Sequence, residues 1–170
     1  MKTEKNLVLL GMMGVGKTKI GKSVAKKLKI NFFDIDKIIE EKNEMKITEI
    51  FKIKGEAYFR KEEEFLTIKY LSKKKALISL GGGGFINEKI RKKTLNECVS
   101  IWLNINLDIL YKRLKNSKKR PLIFKNNQVN IDKIFMERKK IYSLANYKIN
   151  CDNLNVDQVG NKIIRLYENI

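Results

Sequence analysis

Apolar and polar positions along this chain fall into short blocks that alternate between two periods. Leu7-Val8-Leu9-Leu10 is a continuous apolar run, which suits a strand buried on both faces. From Lys17 to Leu28 the apolar residues Ile20, Val24, Ala25 and Leu28 share one helical face. The same reading predicts further strands at 31–35, 76–80, 99–103 and 147–151. Helices are predicted over 37–42, 56–71, 87–95, 107–115, 131–144 and 156–168, with one short turn capped by Thr48 and running to Ile53. Strands alternating with helices predict an α/β fold, a parallel sheet covered on both faces. Ligands of such sheets sit at the carboxyl ends of the strands.

Between Asn116 and Asn130 the periodicity fails. This stretch is polar and basic and holds the only proline, Pro121. Inside a compact domain such a segment reads as a functional loop or lid. Otherwise the 170 residues suit one domain, with no spacer and no internal repeat. No apolar run approaches the length of a membrane span. Lys2 and Lys5 ahead of the first apolar run imitate a secretory signal, but no small-residue cleavage site follows and Lys17-Thr18-Lys19 interrupts it. The expectation is a cytoplasmic protein with no membrane partner.

Charge and composition narrow the chemistry. There is no histidine, which excludes a Ser-His triad, a His-ligated metal and a His base. Cys98 and Cys151 lack CxxC spacing and lie in predicted strands, so they read as buried free thiols. The net charge of +18 raises nucleic acid as a partner, yet 31 lysines against 6 arginines are scattered without the clustered aromatics of a dedicated binder. No specific nucleic-acid partner is expected. Where lysine is the default cation, each arginine invites a geometric reason, because only arginine offers a planar fork to carboxylate or phosphate.

Gly11-Met12-Met13-Gly14-Val15-Gly16-Lys17-Thr18 follows the first apolar run directly. Gly-x-x-x-x-Gly-Lys-Thr between a strand and a helix is the P-loop pattern, whose backbone N–H groups cradle phosphates. The pattern makes Lys17 a β/γ-phosphate ligand and Thr18 a Mg²⁺ ligand. Asp34-Ile35-Asp36 is expected to close the second strand, with both carboxylates on one side facing the P-loop, one for Mg²⁺ and one as base or orienter of an attacking hydroxyl. Gly81-Gly82-Gly83-Gly84 ends the third strand and exposes backbone N–H groups at the ligand edge. Arg113, Arg120 and Arg138 fall beside the irregular loop, and Arg60 lies on the helix after Gly55. Arg91 and Arg165 have no such context and read as surface residues.

Together these motifs resemble the shikimate kinase family, within the nucleoside-monophosphate-kinase-like P-loop group. The residues that carry the resemblance are the P-loop, Asp34-x-Asp36, Gly55-Glu56-x-x-Phe59-Arg60, Gly81 to Gly83, Arg120-Pro121-Leu122, and Glu137-Arg138 followed by Tyr142 and Ala145. The resemblance implies a three-layer P-loop kinase fold, a five-stranded parallel sheet in the order 2-3-1-4-5, a substrate-binding subdomain near 34–62 and a mobile lid near 113–128. It implies a monomer that transfers the ATP γ-phosphoryl group to the 3-hydroxyl of shikimate. Asp36 would be the base, acting with Lys17 and Arg120. Gly14, Val15, Gly16, Lys17, Thr18, Lys19, Arg113, Arg120 and Asn153 would bind the nucleotide. Thr18 and Asp34 would hold Mg²⁺, with Ser79 near its water shell. Asp36, Arg60, Gly82, Gly83 and Arg138 would hold shikimate. The chain departs from the family pattern in its fourth glycine, Gly84, in Asn146, and in a 151–155 loop without arginine. A gluconate-kinase-like enzyme and an ATP-switched basic nucleic-acid binder are the rival readings.

Overall fold

The structure is a computed structural model and describes residues 4–115 and 128–170. Five strands, β1 (Asn6–Leu10), β2 (Asn31–Asp34), β3 (Ala76–Ser79), β4 (Cys98–Asn104) and β5 (Tyr147–Asn150), form one sheet in the order β2-β3-β1-β4-β5. All four strand pairs are parallel. Every residue of β1 and of β3 is buried, so helices cover both faces, as continuous apolar strands require. The strands are followed by α1 (Lys17–Leu28), α2 (Ile35–Asn43), α3 (Ile47–Ile53), α4 (Gly55–Leu71), α5 (Glu88–Glu97), α6 (Leu107–Lys115), α7 (Gln128–Tyr142) and α8 (Val156–Glu168). Helices α2, α3 and α4 pack on one another, and α1 packs on α8. The expected lid residues 116–127, Arg120 among them, lie outside the described residues. No helix among the described residues is long and apolar enough to cross a membrane.

Helix starts follow local chemistry. Asn87 caps α5 by accepting from Lys89 N at 2.9 Å and Ile90 N at 3.1 Å. Asn155 and Gln158 cap α8 reciprocally, each side chain accepting from the other's backbone N–H at 2.9 Å. Two expected boundaries are corrected. Helix α3 starts at Ile47, ahead of Thr48, because the Glu49 carboxylate accepts the Lys46 N–H at 2.7 Å and fixes the cap at Lys46, two residues earlier. Strand β2 ends at Asp34 rather than Ile35, because Asp34 becomes the N-cap of α2, its Oδ1 accepting from Lys37 N at 3.4 Å. Cys98 opens β4 and Cys151 follows β5 immediately; both are buried free thiols, as expected. Burial pushes each thiol pKa up to about 11.

Asn6, at the start of β1, ties the sheet to the end of α4. Its Nδ2 donates to Leu71 O at 3.0 Å and to Lys73 O, and its Oδ1 accepts from Ala76 N at 3.0 Å. The side chain is 6% exposed, so water cannot replace these bonds. Asn6→Ala should therefore destabilise the fold by about 3 kcal/mol or more, since each orphaned buried polar group costs about 1–3 kcal/mol. Urea unfolding of the two proteins measures this; a loss within about 0.5 kcal/mol, typical of neutral surface changes, would contradict it.

Candidate functional site

The carboxyl ends of β1, β2 and β3 bring two sets of groups together. The first is the loop between β1 and α1. Gly14 and Gly16 hold φ of 82° and 105°, a left-handed region that a side chain resists, and this curls the loop over the start of α1. Lys17 Nζ folds back on the loop, donating to Gly11 O at 2.8 Å and Met12 O at 3.0 Å. Thr18 Oγ1 donates to Asp34 Oδ2 at 2.6 Å. Ser79 pairs with Asp34 across the sheet and is buried beside it. From α6, Arg113 Nη1 donates to Val15 O at 3.2 Å. A glycine-lined turn with an ammonium, a hydroxyl and a carboxylate at one end fits a nucleotide phosphate chain with Mg²⁺. Among the described residues no group of three or more His, Cys, Asp or Glu is placed to hold a metal ion by itself. Lys19 is exposed on α1, and Asn153 is exposed in the turn after β5; neither side chain joins this group.

The second set gathers over the glycine turn that follows β3. Charged groups press on three successive α-carbons there. A Cβ on Gly81 would stand 2.4 Å from Asp36 Oδ1 and 2.8 Å from Glu63 Oε1. One on Gly82 would stand 3.0 Å from Arg138 Nη1 and 3.7 Å from the loop nitrogen Met13 N, so the two sets adjoin. One on Gly83 would stand 2.4 Å from Arg60 Nη1. A Cβ at Gly81 or Gly83 would push these charged ends from where they lie, and one at Gly82 would crowd Arg138 by a few tenths of an ångström. The fourth glycine, Gly84, begins a 3₁₀ turn through Ile86 that is buried against Leu80.

The two aspartates do not share one strand face. Because β2 ends at Asp34, Asp36 lies in the first turn of α2 and the i, i+2 argument fails. Asp34 turns to Thr18, and Asp36 turns to Gly81. The carboxylates thus serve one half of the cleft each.

Arg60 is held on three sides. Its Nη1 donates to Glu63 Oε2 at 2.7 Å, while Nε and Nη2 donate to Glu56 Oε1 at 3.2 and 3.1 Å. The rings of Phe59 and Phe51 lie 5.2 and 5.9 Å from the guanidinium carbon. Burial alone would lower the Arg60 pKa; the two carboxylates outweigh it and hold it above its ordinary value. Among the described residues three of its five N–H donors are used. Arg138 Nη1 is buried with no hydrogen-bond partner among the described residues. Two forked donors, side by side over a glycine turn, are what an incoming carboxylate needs.

Glu63 escapes the sequence reading, Tyr142 enters it only as part of the resemblance, and Arg91 is misplaced by it. Glu63, 2% exposed, stands among Arg60, Arg138 and Asp36. In sequence it is the middle of Glu62-Glu63-Glu64, which looks like a solvated helix face; only its i, i+3 spacing from Arg60 hints otherwise. Tyr142, fully buried, donates its hydroxyl to Gly82 O and so fixes the turn. Arg91 is no idle surface residue: its Nη1 donates to Phe85 O at 3.2 Å and Ile86 O at 2.8 Å, pinning the 3₁₀ turn. Arg165 is exposed on α8, as expected.

Fold and cleft together define a P-loop phosphotransferase. A family model described as shikimate kinase matches residues 13–168. A shikimate kinase of Bacillus subtilis is 41% identical over 167 residues, covering 95% of this chain and 88% of that protein. A solved structure of shikimate kinase from Acinetobacter baumannii in complex with shikimate superposes with a TM-score of 0.90 at 28% identity, covering 97% of this chain and 93% of that one. A gluconokinase from Sinorhizobium meliloti shares the fold alone, with a TM-score of 0.54 at 12% identity over 99% of this chain and 97% of that one. The chain belongs to the shikimate kinase family.

Tyr142 gives this site a test independent of turnover. Burial pushes its pKa up to about 12. The folded state therefore keeps a proton that the unfolded state loses near its ordinary value of about 10, so Tyr142 stabilises the fold fully below that pH and progressively less as pH rises toward 12. Tyr142→Phe should cost about 1–3 kcal/mol at neutral pH, because Gly82 O is left without its donor. It should also flatten the fall of stability in the alkaline range. Urea midpoints measured from pH 7 to the alkaline limit check both, and an unchanged midpoint with an unchanged slope would refute the role.

Proposed function

We propose that this protein transfers the γ-phosphoryl group of ATP to the 3-hydroxyl of shikimate, with Mg²⁺, as a cytoplasmic monomer. One observation carries the reading. Asp36, Arg138 and Arg60 lean on Gly81, Gly82 and Gly83 in turn, against a P-loop, so a base and two carboxylate receptors face one phosphate cradle. A hydroxylated carboxylate fits that order of groups, and family membership makes it shikimate rather than gluconate.

When bound, ATP and Mg²⁺ supply the transferable phosphoryl group and the positive field that eases its departure. The chain's own residues do the rest. The backbone of Gly14, Val15 and Gly16, with Lys17, receives the phosphates, and Thr18 with Asp34 receives the ion. Arg113 borders the nucleotide, with Lys19 and Asn153 as outer contacts. Arg60 and Arg138 take the shikimate carboxylate, with the Gly82 and Gly83 backbone as floor. Asp36 orients the attacking hydroxyl and accepts its proton. Residues 34–62 form the substrate subdomain. Arg120, in the lid near 113–128, completes the phosphate contacts and helps keep water from competing for the phosphoryl group.

Two experiments test this division. Lys17→Ala should abolish transfer while leaving the fold intact, since loss of one charge-stabilising donor costs about 3–4 kcal/mol of barrier; near-native turnover would remove the P-loop from the mechanism. Arg60→Lys should raise the shikimate KM about tenfold, the loss of a charge-assisted bond worth about 1.5–3 kcal/mol, and leave the ATP KM nearly unchanged. The amide analogue of shikimate should be a poor acceptor for the native protein and insensitive to the substitution. Additive losses across enzyme and acceptor would show that Arg60 does not meet the carboxylate.

A further inference from the structure

Glu63 is the most deeply buried carboxylate among the described residues, and its two oxygens are treated unequally. Oε2 accepts from Arg60 Nη1 at 2.7 Å. Oε1 is buried with no hydrogen-bond partner among the described residues. That oxygen and Asp36 Oδ1 lie 2.8 and 2.4 Å from one point, the vacant Cβ position of Gly81, so they are no farther apart than those lengths combined.

Each element around Glu63 contributes charge or lacks it. On α4 itself stand Arg60 and, behind it, Glu56. Helix α2 brings Asp36, and α7 brings Arg138 and the Tyr142 hydroxyl. Toward α5, Arg91 is committed to the carbonyls of the 3₁₀ turn. From α3 the Phe51 ring meets Arg60. Among the described residues, the guanidinium groups of Arg60 and Arg138 face the carboxylates of Glu56, Glu63 and Asp36.

We propose that Glu63 takes up one proton from solvent, on Oε1, when a carboxylate acceptor docks on Arg60 and Arg138. The proposal rests on the functional reading above. A docking carboxylate draws on the same two guanidinium groups that keep Glu63 ionised. It adds a further negative charge and displaces the water that screened the cluster. Asp36 must stay anionic to serve as base, so the excess falls on the buried partner. A proton on Oε1 gives that atom the hydrogen bond it lacks, directed toward Asp36 or an acceptor hydroxyl. Only an O–H bond forms, and no covalent bond of the protein breaks. Burial raises the Glu63 pKa above its ordinary value, opposed by Arg60 and reinforced by the charge of Asp36.

The sign follows from linkage. Binding raises the Glu63 pKa, so acceptor affinity falls as pH rises from the free toward the bound value, by at most about tenfold per pH unit. Glu63 acts through Arg60 and Arg138 and is a positioning residue. Its electrostatic share is separable from simple bracing.

Calorimetric titration of the full chain with shikimate, in buffers of different ionisation enthalpy between pH 6 and 8, counts the protons taken up. The native protein should take up a substantial fraction of a proton with shikimate and none with its amide analogue. Glu63→Gln, which keeps an oxygen for Arg60, should still bind shikimate, take up no proton and lose the pH dependence of affinity. If that variant does not fold, the carboxyl-carbon resonance of Glu63 in the native protein reports the same event and should move toward its protonated position on adding shikimate. Shikimate that binds without proton uptake, uptake that survives in Glu63→Gln, or a Glu63 resonance that does not move overturns the proposal. Absence of any shikimate binding overturns the functional reading itself, and the proposal with it.

Discussion

Charged side chains from three helices converge on the turn after β3, and the turn accepts them only because its residues lack Cβ atoms. Asp36 and Glu63 rest on Gly81, Arg138 on Gly82 and Arg60 on Gly83; a methyl group would displace the charged ends at Gly81 and Gly83 and crowd the one at Gly82. The turn cannot yield, because Tyr142 holds its carbonyl from one side and Arg91 holds the following 3₁₀ carbonyls from the other. Helix α4 supplies both Arg60 and Glu63 one turn apart, and α2 supplies Asp36 because Asp34 stops the strand and starts the helix. The geometry of the acceptor half thus depends on steric absence at three adjacent positions, and the charges are arranged around that absence.

Much of this is visible in the sequence because the residues involved stand out from a lysine-rich background. The P-loop spacing, the glycine run, and Arg60 and Arg138 among only six arginines each narrow the chemistry unaided. Strand placement follows from continuous apolar runs alternating with helical periods, while the sheet order is what the family resemblance implies, and the structure has that order. What the sequence hides is contact at a distance. Glu63 is indistinguishable from Glu62 and Glu64 until α4 is laid against α2 and the glycine turn. Arg91 resembles its neighbours Lys92 and Lys93 until its guanidinium finds two free carbonyls. The Asp34–Asp36 pair misleads for a local reason: a cap residue ends the strand between them, and the period changes before the second aspartate.

The two kinds of cation divide the labour. Lysines make the peripheral ion pairs, such as Lys92–Glu88 at 2.7 Å and Lys93–Glu97 at 2.6 Å, on exposed helix faces where such pairs contribute about 0–1 kcal/mol. Arginines take positions where planar geometry matters: Arg60 between two carboxylates, Arg113 on the P-loop carbonyl of Val15, Arg91 on the 3₁₀ turn. Much of the net charge of +18 comes from lysines, 31 of the 37 basic residues.

The sulfur chemistry has a practical side. Cys98 and Cys151 sit at the two ends of the β4–β5 half of the sheet, both closed off from solvent and both with thiols pushed to about 11. At neutral pH only on the order of one thiol in ten thousand is the reactive thiolate. Alkylating reagents and mild oxidants meet neither the ionised form nor an open path to it. Loss of activity during storage or under oxidative stress would then report unfolding or methionine damage before cysteine damage, and the intact fold should need no reducing agent to stay in working order.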